Sequence, residues 1–156
     1  MKEYNIFLCS SIVEFQEERQ KLAAYIQNIS RNIAQKRFGT SVYLHKCEYM
    51  DNALAAEGMQ KTYNEEICRS ELVVFLFGEK AGEYTLEELS CAAEYFGETA
   101  KNKICVLSRY NPYCAEESSA LSNLAHMLDK YRLRYVQFEN LESVKLTIIE
   151  KLLEQL

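Results

Sequence analysis

Several residue types are rare in this chain of 156 residues, which has no Trp, one Pro, five Gly and two His. Because Pro and Gly supply most turn and linker conformations, their scarcity argues against long loops and low-complexity linkers. Two histidines, His45 and His126, argue against a histidine-rich metal site and a Ser-His-Asp triad. Asp51 and Asp129 are the only aspartates among 23 acidic residues. Receiver-domain phosphorylation and two-metal phosphoryl transfer therefore have almost no aspartates to use.

Long apolar runs and an excess of positive charge are also missing. No apolar run reaches 18 residues and no signal peptide is recognisable, so we expect neither a membrane span nor secretion. The net charge is −5, and the Lys and Arg residues are scattered, which argues against a nucleic-acid or polybasic membrane surface. The six cysteines form no CxxC pair and lie mostly in apolar runs, which indicates a reduced, cytoplasmic protein without a disulfide framework.

The remaining composition is that of one soluble globular domain. Apolar residues make up 48% of the chain and charged residues 26%. Since domains contain roughly 100–200 residues, we expect residues 1–156 to form a single domain.

Strand-like and helix-like patterns alternate five times along the chain. Short apolar runs predict strands, and apolar residues spaced by three and four predict helices. The strands are predicted at 4–9, 41–47, 72–78, 104–107 and 133–138. The first helix contains Phe15, Leu22, Ile26, Ile29 and Ile33 and ends at Gly39, and the later ones are predicted at 59–69, 85–96, 115–130 and 141–156.

This alternation predicts a doubly wound α/β fold. Parallel strands need crossover connections, and a helix is the usual crossover. We therefore expect a flavodoxin-like five-stranded parallel sheet in the order 2-1-3-4-5, with helices on both faces. Ligands of such sheets bind outside the carboxyl ends of the strands, where the first and third strands separate.

Several well-known sites are excluded at those two strand ends. No GxGxxG follows the first strand and no GxxxxGK[ST] occurs, so classical dinucleotide and Walker-type phosphate sites are absent. A low-molecular-weight phosphatase would need an Arg six residues after Cys9, where the chain has Phe15. A receiver domain would need an Asp at the end of the third strand, where Gly78 and Glu79 stand.

Carboxylates cluster where the helix after the third strand is predicted to begin. Glu88 falls in the expected first turn, where the helix dipole favours an ionised carboxylate. Such a group could stabilise a positively charged sugar ring as a glycosidic bond breaks. Tyr84 could offer an aromatic face to a base, and Glu83 is a further candidate for substrate contact. Alternatively, Thr85 and Glu88 form a capping box, and Glu83 is a solvated charge.

Other candidates follow the first and second strands. Ser10 and Ser11 precede a helix, where hydroxyl and N–H groups suit a diphosphate. Ser11 also fits a simple N-cap, and Glu14, three residues later, gives the spacing of a capping box. Cys9 and Glu48 are further candidates for substrate contact at the same crevice. Arg19, two turns into the helix, is expected at the surface or in an ion pair.

Three segments resemble TIR (Toll/interleukin-1 receptor) domains. Residues 4–11 are similar to the first strand of that family, and residues 67–76 resemble its helix-to-strand junction. Residues 83–89 resemble its S-x-W-C-x-x-E-L element, with Tyr84 at the Trp position and Thr85 at the Cys position. Glu88 then matches the glutamate with which enzymatic TIR domains cleave NAD. Residues 48–58 take the place of the BB loop, but without its common Pro-Gly.

A neighbouring TIR-like family, found at the N-terminus of larger bacterial signalling or NTPase proteins, is also similar. It has S-S-T-F…E-E-R after strand one and L-G-x-x-x-G…T-E-x-E-Y after strand three. Residues 10–19 and 77–89 match most of both motifs. The first motif is one residue shorter here, and Ile12-Val13 replace its Thr-Phe.

The resemblance implies cleavage of the nicotinamide–ribose bond of NAD, with NAD as substrate and no separate cofactor. It implies that Glu88 holds the ribose hydroxyls, that Ser10 and Ser11 face the diphosphate and that Tyr84 faces the base. Activity gated by self-association, in bacterial signalling or antiphage defence, is the implied setting.

Two alternatives stay open. One is a non-catalytic module that binds like domains, an effector or sensor partner, or a nucleotide signal. The other is an enzyme like the nucleoside deoxyribosyltransferases, which usually require an Asp that this loop lacks.

Overall fold

The computed structural model describes residues 2–11, 14–46, 64–79, 83–116 and 119–156. Its strands are β1 (Lys2–Ser10), β2 (Thr40–Lys46), β3 (Leu72–Phe77), β4 (Ile104–Ser108) and β5 (Tyr135–Gln137). Its helices are α1 (Gln16–Ile29), α2 (64–69), α3 (Glu83–Phe96), α4 (Ala100–Lys103), α5 (Ala120–Tyr131) and α6 (Leu141–Gln155).

All strand pairs in the sheet are parallel, in the order β2-β1-β3-β4-β5. This confirms the predicted flavodoxin-like fold class and strand order. The order reverses between β1 and β3, where Cys9 pairs with Phe75 and Ser10 pairs with Leu76. The carboxyl ends of these two strands therefore lie side by side at the switch point of the sheet.

Side chains of the central strands β1, β3 and β4 alternate between two buried faces. Phe7, Cys9 and Phe75 pack with Leu89 of α3 and Leu124 of α5 in one core cluster. Ile6, Leu8 and Val74 pack against α1 and α6 in the other. Because both faces are covered by helices, the central strands are apolar throughout rather than alternating with polar residues.

Helix α1 continues as a π-helix over Ser30–Phe38 and ends at Gly39, which has the left-handed φ of 61° that favours glycine. The wider turn changes which residues face the sheet. Ile33, predicted to be buried from the 3.6-residue period, is 40% exposed, and Ala34 is buried in its place. Ser30 Oγ accepts a hydrogen bond from the Val42 N–H at 2.9 Å and joins this segment to β2.

Several predicted boundaries were wrong. Helix α3 already includes Glu83, so Thr85 lies inside the first turn and is not the N-cap of the helix. Helix α5 begins at Ala120, later than predicted, with Ser119 as its N-cap; the Ser119 side chain accepts a hydrogen bond from the Ser122 N–H. Strand β5 is shorter than predicted and covers Tyr135–Gln137. The predicted loop at 48–58 lies outside the described residues, and among those residues no helix is both long enough and apolar enough to cross a membrane.

Candidate functional site

Glu14 joins the segments that follow β1 and β3 at the switch point. Its backbone N–H donates to Ser11 Oγ at 3.2 Å in the turn before α1. The N-cap of α1 is Phe15, so the prediction of Ser11 as the N-cap was wrong. The Glu14 carboxylate does not turn back to Ser11, as a capping box would require. Instead, its Oε1 atom accepts a hydrogen bond from the Glu79 N–H at 2.7 Å. A carboxylate from the turn before α1 is therefore bound to the backbone beyond β3.

Gly78 makes this contact possible. A Cβ atom placed on Gly78 would lie 1.8 Å from Glu14 Oε1, which is far closer than two unbonded atoms can approach. Any other residue at position 78 would displace the carboxylate. The spacing of Glu14 from Ser11 was recognised in the sequence, but its partner across the crevice was not, because residues 14 and 79 are distant in the chain.

Arg19 and Ser10 form a buried polar pair at the end of β1. The Arg19 Nη1 atom donates to Ser10 Oγ at 2.8 Å, and the two residues are only 3% and 8% exposed. Arg19 was expected at the surface or in an ion pair, and its burial shows that the surface alternative was wrong. Its side chain extends toward the sheet. A buried cation is tolerated where polar atoms accept its hydrogen bonds. A positive charge thus lies beside the Ser10 hydroxyl.

Glu88 is an almost fully buried carboxylate, with 5% of its surface exposed. It lies in the second turn of α3, one turn later than predicted, because the helix already includes Glu83. Its neighbour Leu89 is part of the core cluster that contains Cys9. Glu88 has an interaction partner, and no buried side-chain nitrogen or oxygen among the described residues lacks a hydrogen bond.

The other predicted residues lie in different places. Cys9 is fully buried beneath the crevice, on the sheet face covered by α3, so it contributes to the core rather than to an open surface. Ser10 points to the opposite face, toward α1. Glu83 and Tyr84 belong to the first turn of α3, and their side chains lie outside the described part. Glu48 also lies outside it.

Arg109 forms a second cluster at the carboxyl edge, which the sequence analysis missed. Its guanidinium lies 5.3 Å from the Phe15 ring centroid and 5.5 Å from that of Phe138. One of its nitrogens is 3.7 Å from Glu18 Oε1. These residues line a cavity of about 200 Å³ at the start of α6. Arg109 directly follows a buried strand, and this position in the sequence indicates a residue at the carboxyl edge of the sheet.

A larger cavity, of about 570 Å³, is lined by residues of α1, of the π-helical segment and of β2. Its polar lining includes Gln27, Gln35 and His45. β1 lies between this cavity and the switch point. We therefore do not assign the cavity as the ligand site, although it is larger. Among the described residues, no group of three or more His, Cys, Asp or Glu side chains is arranged to hold a metal ion.

Comparisons with known proteins bear on the fold alone. No protein-family model and no curated protein matches the chain. Among solved structures, the chain is similar to the CMP N-glycosidase BcmB of Clostridium botulinum, with a TM-score of 0.54 and 16% sequence identity. The match covers 92% of this chain and 98% of BcmB. The two proteins therefore share a flavodoxin-like fold over nearly their whole lengths.

Proposed function

We propose that this chain cleaves the N-glycosidic bond of a nucleotide and that Glu88 is its catalytic carboxylate. NAD is the substrate that the resemblance to TIR domains implies. The observation that carries the proposal is the position of Glu88, a buried carboxylate in the second turn of the helix that follows β3. Nucleotide ligands of doubly wound sheets bind outside the carboxyl ends of the strands, where that helix begins.

The burial of Glu88 suits the chemistry. Breaking the bond between nicotinamide and ribose develops positive charge on the sugar ring. A carboxylate interacts with that charge more strongly where water is excluded, because the local dielectric constant is lower than in water. In this proposal Glu88 also accepts hydrogen bonds from the ribose hydroxyls and so fixes the ring against the carboxylate.

The polar pair at the end of β1 supports the binding of a diphosphate. Arg19 lies within hydrogen-bond distance of Ser10 Oγ and brings positive charge to the strand end. A cation close to a hydroxyl favours an anionic ligand. In this proposal Ser10 and Ser11 face the diphosphate, and Tyr84 stacks on the base.

The similarity to BcmB adds support for the reaction class. BcmB is a CMP N-glycosidase with the same fold, so this architecture accommodates cleavage of a nucleotide N-glycosidic bond. A shared fold does not specify the base or the sugar. CMP therefore belongs beside NAD in any substrate panel.

The proposal is tested by incubating concentrated protein with NAD or CMP and measuring released nicotinamide or cytosine by chromatography. We expect Glu88→Gln to lower turnover by about 10²-fold or more, as removal of a charge that stabilises a transition state typically does. Glu87→Gln is the matched control, since Glu87 is the exposed neighbour on the same helix. Turnover equal to wild type in Glu88→Gln would refute the catalytic role. Release of cytosine without release of nicotinamide would show that CMP, and not NAD, is the substrate.

A non-catalytic nucleotide-binding module is the second candidate. The bridge from Glu14 to Glu79 favours it, because a carboxylate then occupies the switch point of the free protein. This candidate predicts that calorimetry detects NAD binding while no product forms at any protein concentration.

A further inference from the structure

The backbone beyond β3 already binds an anionic group. The Glu79 N–H donates to a carboxylate oxygen of Glu14 at 2.7 Å, a length typical of a hydrogen bond to a charged acceptor. Phosphate oxygens accept from backbone N–H groups in the same way. The donor is therefore oriented toward an anion, and in the free protein the chain supplies that anion itself.

The surroundings of this N–H fit a phosphoryl group. The absence of a side chain at Gly78 leaves space that a Cβ atom would fill, so an oxyanion can approach the backbone closely. The site lies between the carboxyl ends of β1 and β3, where doubly wound sheets hold the phosphates of nucleotides.

Glu14 is held in a way that allows it to leave. The residue is half-buried in the turn before α1, outside both core clusters. Rotation of its side chain would release the Glu79 N–H without moving any core residue. While it remains, its negative charge repels a phosphate at the same place.

We propose that the backbone at Gly78 and Glu79 is a phosphate-binding site, and that Glu14 occupies it until a nucleotide displaces the carboxylate. This inference rests on the proposed function for the identity of the ligand as a nucleotide. It extends that function by assigning one phosphate to residues that carry no recognisable phosphate motif. Glu14 is then a specificity-determining residue, because it sets how strongly the phosphate contributes to binding.

The test measures binding rather than turnover, so that it is independent of the catalytic role of Glu88. Inorganic pyrophosphate and AMP are titrated by calorimetry, with adenosine as the uncharged comparison. The Glu79 amide resonance is followed in ¹⁵N-labelled protein. We expect Glu14→Gln and Glu14→Ala to lower the Kd for pyrophosphate and AMP roughly fivefold or more. Each substitution removes a nearby negative charge that repels the phosphate. The Kd for adenosine should stay the same.

Two further variants separate a local site from a general effect of charge. Glu3→Gln removes the same charge at the exposed opposite end of β1 and should leave the Kd for pyrophosphate unchanged. Gly78→Ala in the Glu14→Ala background fills the space beside the N–H and should abolish the gain in affinity. An equal gain in Glu3→Gln, unchanged affinity in both Glu14 variants, or a Glu79 resonance that does not respond to pyrophosphate would overturn the proposal. A protein that binds pyrophosphate as expected but never cleaves NAD or CMP would refute only the proposed function.

Discussion

The buried thiol of Cys105 makes the free energy of unfolding depend on pH in the alkaline range. Burial in the second strand from the β5 edge raises the pKa of its thiol from 9.0 to about 12. Burial, with a smaller effect of the Glu71 charge, also raises the pKa of Tyr4 above its ordinary value. In both cases the folded protein retains a proton that the unfolded chain loses. The stabilisation is complete below about pH 9 and declines as the pH rises toward 12.

We therefore expect the free energy of unfolding to fall between pH 9 and pH 12, and to fall less steeply in Cys105→Ala. Urea unfolding at several pH values measures this slope. The slope is compared rather than the absolute stability, because the substitution also leaves a small cavity. Cys114→Ala, at an exposed cysteine, is the control and should keep the wild-type slope. Identical slopes in all three proteins would contradict the assignment to Cys105.

Glu14 and Gly78 form a contact whose energy can be isolated. Gly78→Ala forces the carboxylate away from the Glu79 N–H, and Glu14→Ala removes the carboxylate. A hydrogen bond to a charged group contributes about 1–2 kcal/mol when it is partly exposed. Each variant should lose that amount, but the double variant should not lose it twice. Urea unfolding of the four proteins gives the coupling free energy, and strictly additive losses would show that the contact contributes nothing.

At the scale of elements, Arg109 connects three segments of the carboxyl edge. Its guanidinium packs against Phe15, which precedes α1, and Phe138, which follows β5, while Arg109 itself follows β4. The two ring centroids are 6.2 Å apart, so the rings also contact each other. The backbone N–H of Arg109 also donates to the Phe77 carbonyl at 2.9 Å. Each ring attracts the cation, and the attraction is stronger where the rings exclude water from it. The contact with Glu18, at 3.7 Å and partly exposed, is weaker.

We expect Arg109→Ala to lower the free energy of unfolding by about 1–2 kcal/mol through loss of both ring contacts. Glu18→Gln should change it by less than about 0.5 kcal/mol. Thermal and urea unfolding at low and high salt distinguish the two contributions, since salt screens the ion pair but not the ring contacts. A loss in Arg109→Ala that disappears at high salt would assign its stabilisation to Glu18 instead.

At the scale of the whole molecule, the proposed enzyme should depend on its own concentration. The resemblance to TIR domains implies an activity gated by self-association, so turnover per protein chain should rise as the protein is concentrated. Product release is measured over a hundredfold range of concentration, with sedimentation velocity on the same samples. Constant turnover per chain across a range in which oligomers form would contradict this gating.

Much of the architecture could be predicted from short-range patterns. The continuous apolar residues of β1, β3 and β4 identify strands that are buried on both faces, and the intervening helices require parallel crossovers. The spacing of Ser11 and Glu14 predicted a capping contact between them; the hydrogen bond is present, but it lies in the turn before α1, whose N-cap is Phe15. These features depend on residues a few positions apart, so the sequence contains the information directly.

The contacts at the site were decided by the tertiary structure. Glu14 meets Glu79 because segments 65 residues apart in the chain are brought to one edge of the sheet. Arg19 turns inward to Ser10 because α1 packs back onto the strand that precedes it. The exposure of Ile33 follows from a π-helical turn that a 3.6-residue period does not describe. The sequence alone determined the class of fold, since hydrophobic periodicity is a local property. Only the tertiary structure determined which charged groups contact one another at the switch point, because such contacts depend on the register of the strands and the conformation of the loops.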